Sequence, residues 1–228
     1  MNCTAIVLAA GQGKRMKSKI QKQFLLLKGK PVLFYSISCF EKSSEIDDII
    51  IVTGAESVEY VKREIVEPFG FQKVKAVVTG GKERYDSVYE GLKACQNCDY
   101  VFIHDGARPF VTEEMIERGK KAVIAGGACV LGVPSKDTVK ITDEEGFVES
   151  TPKRARVWNI QTPQIFSYTE IYSTPYTDYI EKLTAIFAPE ELDDVDTQPE
   201  IDYPAYSSAD FLSDVYMNEQ DYKTLVMF

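Results

Sequence analysis

Two glycines beside two cations, at the end of an apolar run, make a place for polyphosphate. The segment is Ala9-Ala10-Gly11-Gln12-Gly13-Lys14-Arg15-Met16, and it follows Thr4-Ala5-Ile6-Val7-Leu8. Glycine lets the backbone come close to an anion and point its N–H groups inward. Lys14 and Arg15 add positive charge, and a guanidinium can hold a phosphate with two parallel hydrogen bonds. The dinucleotide fingerprint needs a third glycine where Met16 stands. The Walker A loop needs four residues between its glycines and then Gly-Lys-Ser/Thr, which is absent. Both common glycine loops therefore fail on spacing. Taken alone, the segment is a nucleotide loop of another type or an ordinary strand-to-helix turn with incidental cations.

The loop is followed by Lys22, in Gln21-Lys22-Gln23-Phe24. Further along stand Gly80-Gly81-Lys82-Glu83-Arg84-Tyr85-Asp86-Ser87 and His104-Asp105-Gly106-Ala107-Arg108-Pro109. Then come Val133-Pro134-Ser135-Lys136-Asp137-Thr138-Val139-Lys140 and Trp158-Asn159-Ile160-Gln161-Thr162-Pro163-Gln164. In this order, across residues 3–168, these motifs resemble the 2-C-methyl-D-erythritol 4-phosphate cytidylyltransferase family of the non-mevalonate isoprenoid route. That family carries L-A-A-G-x-G-x-R-M and then P-K-Q; here Gln21 takes the proline's place and the lysine is kept. The ribitol-5-phosphate cytidylyltransferases share much of the pattern. Ser135–Thr138 and the stretch from Thr151 to Trp158 favour the first family.

The resemblance implies attack by a substrate phosphate oxygen on the α-phosphorus of CTP, with release of pyrophosphate. The nucleophile is already an anion, so the site must supply alignment and cancellation of charge rather than a Ser-His-Asp apparatus. It implies Arg15 and Lys22 as stabilising cations at the α-phosphate. Ala9, Ala10, Gly11, Gly13, Gly80, Gly81, Ser87 and Gly106 would line the nucleotide. Asp105, Thr138, Arg154 and Thr162 would bind the polyol phosphate, with Arg154 also aligning the reacting phosphate. Mg²⁺ would be held mainly by the CTP phosphates, with no metal ligand assigned to the protein. A hairpin arm at about 134–157 would cross to a second subunit, which predicts a homodimer. The family's later N-I-K lysine is missing from the chain. A nucleotide-binding protein with impaired turnover therefore stands as a second alternative to the ribitol reading.

Apolar runs and helical periods alternate along the chain and must position these motifs. Strands are expected at 3–9, 48–53, 74–79, 100–104 and 129–133, and helices at 32–41, 58–69, 84–94 and 113–125. Thr112 is placed to cap the last helix. Alternation of this kind predicts an α/β fold with a doubly wound, mostly parallel, Rossmann-like sheet of nucleotidyltransferase type. Ligands gather at the carboxyl ends of such strands. Gly11–Met16, Gly80–Ser87 and Asp105–Pro109 all fall there. Thr138–Ile141, an acidic turn at Asp143–Gly146 and Phe147–Thr151 predict a projecting β-hairpin arm.

The 228 residues suffice for one sizeable domain with an appendage, and the net charge is −9. Residues 169–228 hold 14 acidic side chains against Lys182 and Lys223, whereas the remainder carries a small positive excess. That balance suits a small anionic substrate and argues against a nucleic-acid surface. No apolar run is long enough for a membrane span. Five cysteines, an odd number, and a strand at the start predict a cytoplasmic protein with free thiols. Cys95 and Cys98 lack a second ligand pair for zinc. All 14 glycines precede residue 147, so composition changes abruptly and divides the chain into a nucleotidyltransferase domain, 1–168, and an acidic C-terminal segment, 169–228.

Overall fold

The computed structural model describes residues 1–11, 20–172 and 223–227. In chain order the elements begin with β1 (Cys3–Ala9), a 3₁₀ turn at Lys22–Phe24 and the small pair β2 (Leu26–Leu27) and β3 (Lys30–Pro31). Then follow α1 (Val32–Lys42), β4 (Asp48–Thr53), α2 (Val58–Val61), a π turn at Lys62–Val66, α3 (Glu67–Phe69) and β5 (Val74–Thr79). Next are α4 (Arg84–Ala94), β6 (Tyr100–Asp105), α5 (Glu113–Gly126) and β7 (Ala128–Pro134). The chain continues through β8 (Ile141–Thr142), β9 (Val148–Ser150), a 3₁₀ turn at Arg154–Arg156, β10 (Trp158–Ser167), α6 (Tyr168–Tyr172) and β11 (Lys223–Met227).

The main sheet runs β11-β7-β10-β6-β1-β4-β5. β1 pairs in parallel with both β4 and β6, and β4 with β5, so the expected doubly wound core is present. Apolar residues occupy both faces of these strands because helices cover both faces. Along β1, Cys3, Ala5 and Val7 pack beneath α1 and α5, while Ile6 joins Val88 and Leu92 of α4 on the other side. Thr112 caps α5 as expected, its Oγ1 accepting from the Met115 N–H at 3.3 Å.

Several elements depart from the sequence expectation. The run expected as one helix over 58–69 is broken by the π turn before Gly70 ends it at a φ of +64°. β10 was not foreseen as a strand, yet it lies between β6 and β7 and is antiparallel to both. Its polar residues Asn159, Gln161, Thr162 and Gln164 and its proline hide the strand pattern. The register breaks between Ile160 and Gln164, and the Thr162–Pro163 peptide is cis. β11 pairs antiparallel with β7 at the sheet edge, so the acidic segment contributes a strand to the sheet.

Candidate active site at the carboxyl ends of the parallel strands

β6 and β1 end side by side, β5 ends beyond β4 on the same edge of the sheet, and each of the three hands over to one motif. At the end of β1, the buried Gln23 amide holds the chain as it leaves the sheet. It donates to the carbonyls of Ala9 at 2.6 Å and Gly11 at 3.1 Å, and to Gln21 Oε1 at 2.7 Å. Thr53 Oγ1 adds a bond to the Ala9 carbonyl at 3.3 Å. Lys22, one residue before Gln23, opens the 3₁₀ turn beside this loop. Gly13 and Arg15 lie outside the described residues.

After β5, Gly80 sits between two neighbours at the closest approach that backbone allows. A Cβ on Gly80 would lie 2.6 Å from Ser87 Oγ and 2.9 Å from the Ala10 Cβ. A Cβ on Gly81 would meet the Asp86 Cβ at 2.2 Å. Ala10, Gly80 and Ser87 are thus brought together, with Gly81 against Asp86. The first turn of α4 is tied together as one piece, because Glu83 and Asp86 cap it reciprocally and the Glu83 N–H reaches Asp86 Oδ2 at 3.0 Å. Ser87 Oγ donates to the Glu83 carbonyl at 3.2 Å, which leaves its lone pairs free to accept. The helix is pressed onto the sheet, since a Cβ at Gly91 would meet Ile6 Cγ2 at 2.5 Å.

At the end of β6, Asp105 carries two guanidinium groups. Arg84 Nη2 reaches its Oδ1 at 3.0 Å, and Arg108 Nε reaches its Oδ2 at 3.0 Å. Arg84 Nη2 also donates to Gln164 Oε1 at 3.0 Å, and Arg108 to the Gln161 side chain. Burial pushes the Asp105 carboxyl up, but Arg84 and Arg108 outweigh it and hold it below the ordinary carboxylate range. The Asp105 N–H donates to Thr162 Oγ1 at 3.3 Å, so the strand end and β10 share this corner. Gly106 turns back against β1, its N–H donating to the Leu8 carbonyl at 2.7 Å.

His104 is buried behind this corner. Its Nε2 faces the Arg108 carbonyl at 3.0 Å, which can only accept, so Nε2 carries the proton. Nδ1 therefore accepts from Thr162 Oγ1 at 3.0 Å. Burial pushes its pKa down to about 4, which leaves the ring neutral and structural. It orients Thr162.

Thr138 and Arg154 stand apart. Both are exposed on the arm, and Arg154 Nη1 donates to the Lys136 carbonyl at 3.5 Å. Among the described residues, no hydrogen bond or ion pair joins either to Asp105 or Thr162. The sequence reading missed Arg84, Gln23 and Gln164 as parts of the site. Arg84 lay in plain view inside the Gly80–Ser87 motif, and two glutamines buried at strand and turn ends are a signal only once the fold is known.

Among the described residues, no three histidine, cysteine, aspartate or glutamate side chains converge as a metal site. Each Asp105 oxygen accepts from a guanidinium group.

The family model for 2-C-methyl-D-erythritol 4-phosphate cytidylyltransferase matches residues 3–186. The chain belongs to that family. The match extends past residue 168, where the motif resemblance stops. A curated enzyme of this name from Lachnoclostridium phytofermentans is 54% identical over 166 residues, covering 73% of this chain and 71% of its own. One from Clostridium kluyveri is 51% identical over 168 residues, covering 74% and 73%. The solved 4-diphosphocytidyl-2C-methyl-D-erythritol synthase of Anaerococcus prevotii superposes with a TM-score of 0.69 at 33% identity, over 83% of this chain and 84% of its own. The chain is accordingly a cytidylyltransferase, and the fold expected from its motifs is the fold of its solved relatives. The ribitol alternative is not favoured, because these relatives carry the methylerythritol phosphate name.

Proposed function

We propose that this cytidylyltransferase joins CTP to 2-C-methyl-D-erythritol 4-phosphate with a site divided between a nucleotide wall and an acceptor corner. The observation that carries this reading is the convergence of Gly80, Ser87 and Ala10 with the Arg84–Asp105–Thr162 cluster at neighbouring strand ends. Gly80, Gly81 and Ser87 take the cytosine edge, where only bare backbone leaves room. Ala9, Ala10, Gly11, Gly13 and Gly106 line the ribose and phosphates. Asp105 and Thr162 receive hydroxyls of the acceptor.

An acceptor phosphate oxygen bonds to the α-phosphorus, and the bond to the β-phosphate bridging oxygen breaks, releasing pyrophosphate. Negative charge on the α-phosphoryl oxygens peaks in the crowded transition state. Lys22 and Arg15 neutralise it there. Magnesium bound to the triphosphate supplies further charge cancellation. Thr138 and Arg154 grip the acceptor phosphate of the neighbouring subunit. The exposed apolar side chains of the arm support a homodimer: Ile141, Phe147 and Val148 are all about half exposed or more. A two-stranded hairpin bearing such a face is marginal alone and needs a partner surface.

Residues 1–168 form the catalytic unit in this reading. No helix among the described residues is long and apolar enough to cross a membrane. All five cysteines are free, which accords with a cytoplasmic setting. The test is pyrophosphate release from CTP with each alcohol in turn. Release with methylerythritol phosphate and not with ribitol 5-phosphate is expected; CTP binding without release in either case would leave only the nucleotide-binding alternative.

A further inference from the structure

Arg84 belongs to two sites at once. Its backbone starts α4, the helix whose first turn also carries Ser87 and packs Asp86 against Gly81. Its guanidinium leaves that wall and crosses to the acceptor corner. There it makes two bonds to Asp105 Oδ1, from Nη2 at 3.0 Å and Nε at 3.3 Å, and one to Gln164 Oε1 at 3.0 Å.

Gln164 is buried in β10, two residues beyond Thr162. Thr162 in turn receives the Asp105 N–H. β10 therefore holds Asp105 by three routes, its backbone through Thr162 and its carboxylate through Gln164 and Arg84 and through Gln161 and Arg108. The second carboxylate oxygen is held separately by Arg108. Only the Arg84 route runs through the nucleotide wall.

On the functional reading above, we infer that Arg84 is a positioning residue that couples the two substrate pockets, with Gln164 as its anchor. CTP seated on Gly80, Gly81 and Ser87 fixes the first turn of α4. The short, capped turn moves as one piece, so Arg84 is fixed with it. The guanidinium then sets the angle of the Asp105 carboxylate, which meets the acceptor hydroxyls. A planar fork transmits orientation, where an ammonium would transmit only charge.

The test compares Arg84→Lys, Gln164→Leu and Gln164→Glu in the full chain. Calorimetry measures methylerythritol phosphate binding with and without a CTP analogue that cannot be cleaved at the α-phosphorus. Steady-state kinetics gives kcat and both KM values. In the wild type, bound nucleotide is expected to tighten acceptor binding about tenfold, within the ordinary span of site coupling. Arg84→Lys abolishes that tightening and raises the acceptor KM, while affinity for the CTP analogue alone stays within about twofold. Gln164→Leu behaves alike, and Gln164→Glu, which keeps an acceptor oxygen for Arg84, restores the coupling. A purely structural residue would lower both affinities together and would not be rescued by glutamate.

Wild-type coupling in both Arg84→Lys and Gln164→Leu overturns the inference and leaves the enzyme reading intact. So does a large loss of CTP-analogue affinity in folded Arg84→Lys, which would make Arg84 a nucleotide contact. A wild-type chain that binds neither substrate overturns the enzyme reading and this inference with it. Should Arg84→Lys fail to fold, the Gln164 pair decides alone.

Discussion

The Ser87 hydroxyl occupies the space that any side chain on Gly80 would need, at 2.6 Å from where a Cβ would stand. One rigid wall thus forms from a strand end and a helix start. A methyl at position 80 must push Ser87 or Ala10 aside. Gly80→Ala is expected to cost about 1–3 kcal/mol of stability through overpacking. CTP KM should rise far more than the acceptor KM. Adding Ser87→Ala recovers part of the stability but not the affinity. Urea midpoints and CTP titrations check both arms.

Lys22 stands beside the loop that leaves β1, held there by the Gln23 clamp. If its charge acts in the transition state, Lys22→Ala lowers kcat by about 10²–10³ with little change in CTP KM. Initial rates of pyrophosphate release measure it. Near-normal turnover would remove Lys22 from the mechanism.

Among the described residues, no hydrogen bond or ion pair joins Arg154 or Thr138 to Asp105 or Thr162, so a crossing arm makes a sharp forecast. Lys22→Ala and Arg154→Ala homodimers are each nearly inactive. Mixing and refolding them together restores about a quarter of wild-type activity, because one mixed dimer site keeps both residues. If each arm served its own subunit, mixing would restore nothing. Phe147→Asp on the arm should shift the sedimentation mass from dimer towards monomer.

His104 links pH to stability through burial. Its pKa falls from 6.5 to about 4 in the folded chain, so the unfolded chain binds the proton more readily. Stability from this residue is complete above about pH 6.5 and is lost as pH falls towards 4. The integrated effect is on the order of 3 kcal/mol at most. Thermal midpoints of wild type should drop across that window, and those of His104→Asn should drop less steeply. Parallel curves would show that other groups dominate.

Chelation separates the nucleotide's metal from a protein metal. EDTA is expected to stop pyrophosphate release and to leave the thermal midpoint of the nucleotide-free chain unchanged. A lower midpoint would reveal an ion held by the protein itself.

Local chemistry wrote much of this protein directly into its sequence. Apolar runs such as Ile49–Val52 can only be strands buried on two faces, and Thr112 with Glu113 and Glu114 marks a helix start whatever surrounds it. Gly11, the pair Gly80-Gly81 and Asp105 were legible as strand-end positions because alternating strands and helices fix where each strand stops. Tertiary structure alone decided the rest. β10 could not be read, since its polar and proline residues defeat any period, and only pairing with β6 and β7 makes it a strand. The bonds from Arg84 to Asp105 and Gln164 span 21 and 80 residues of sequence. Such partners are chosen by where the folded sheet brings chain ends together, and a side chain's own type cannot name them.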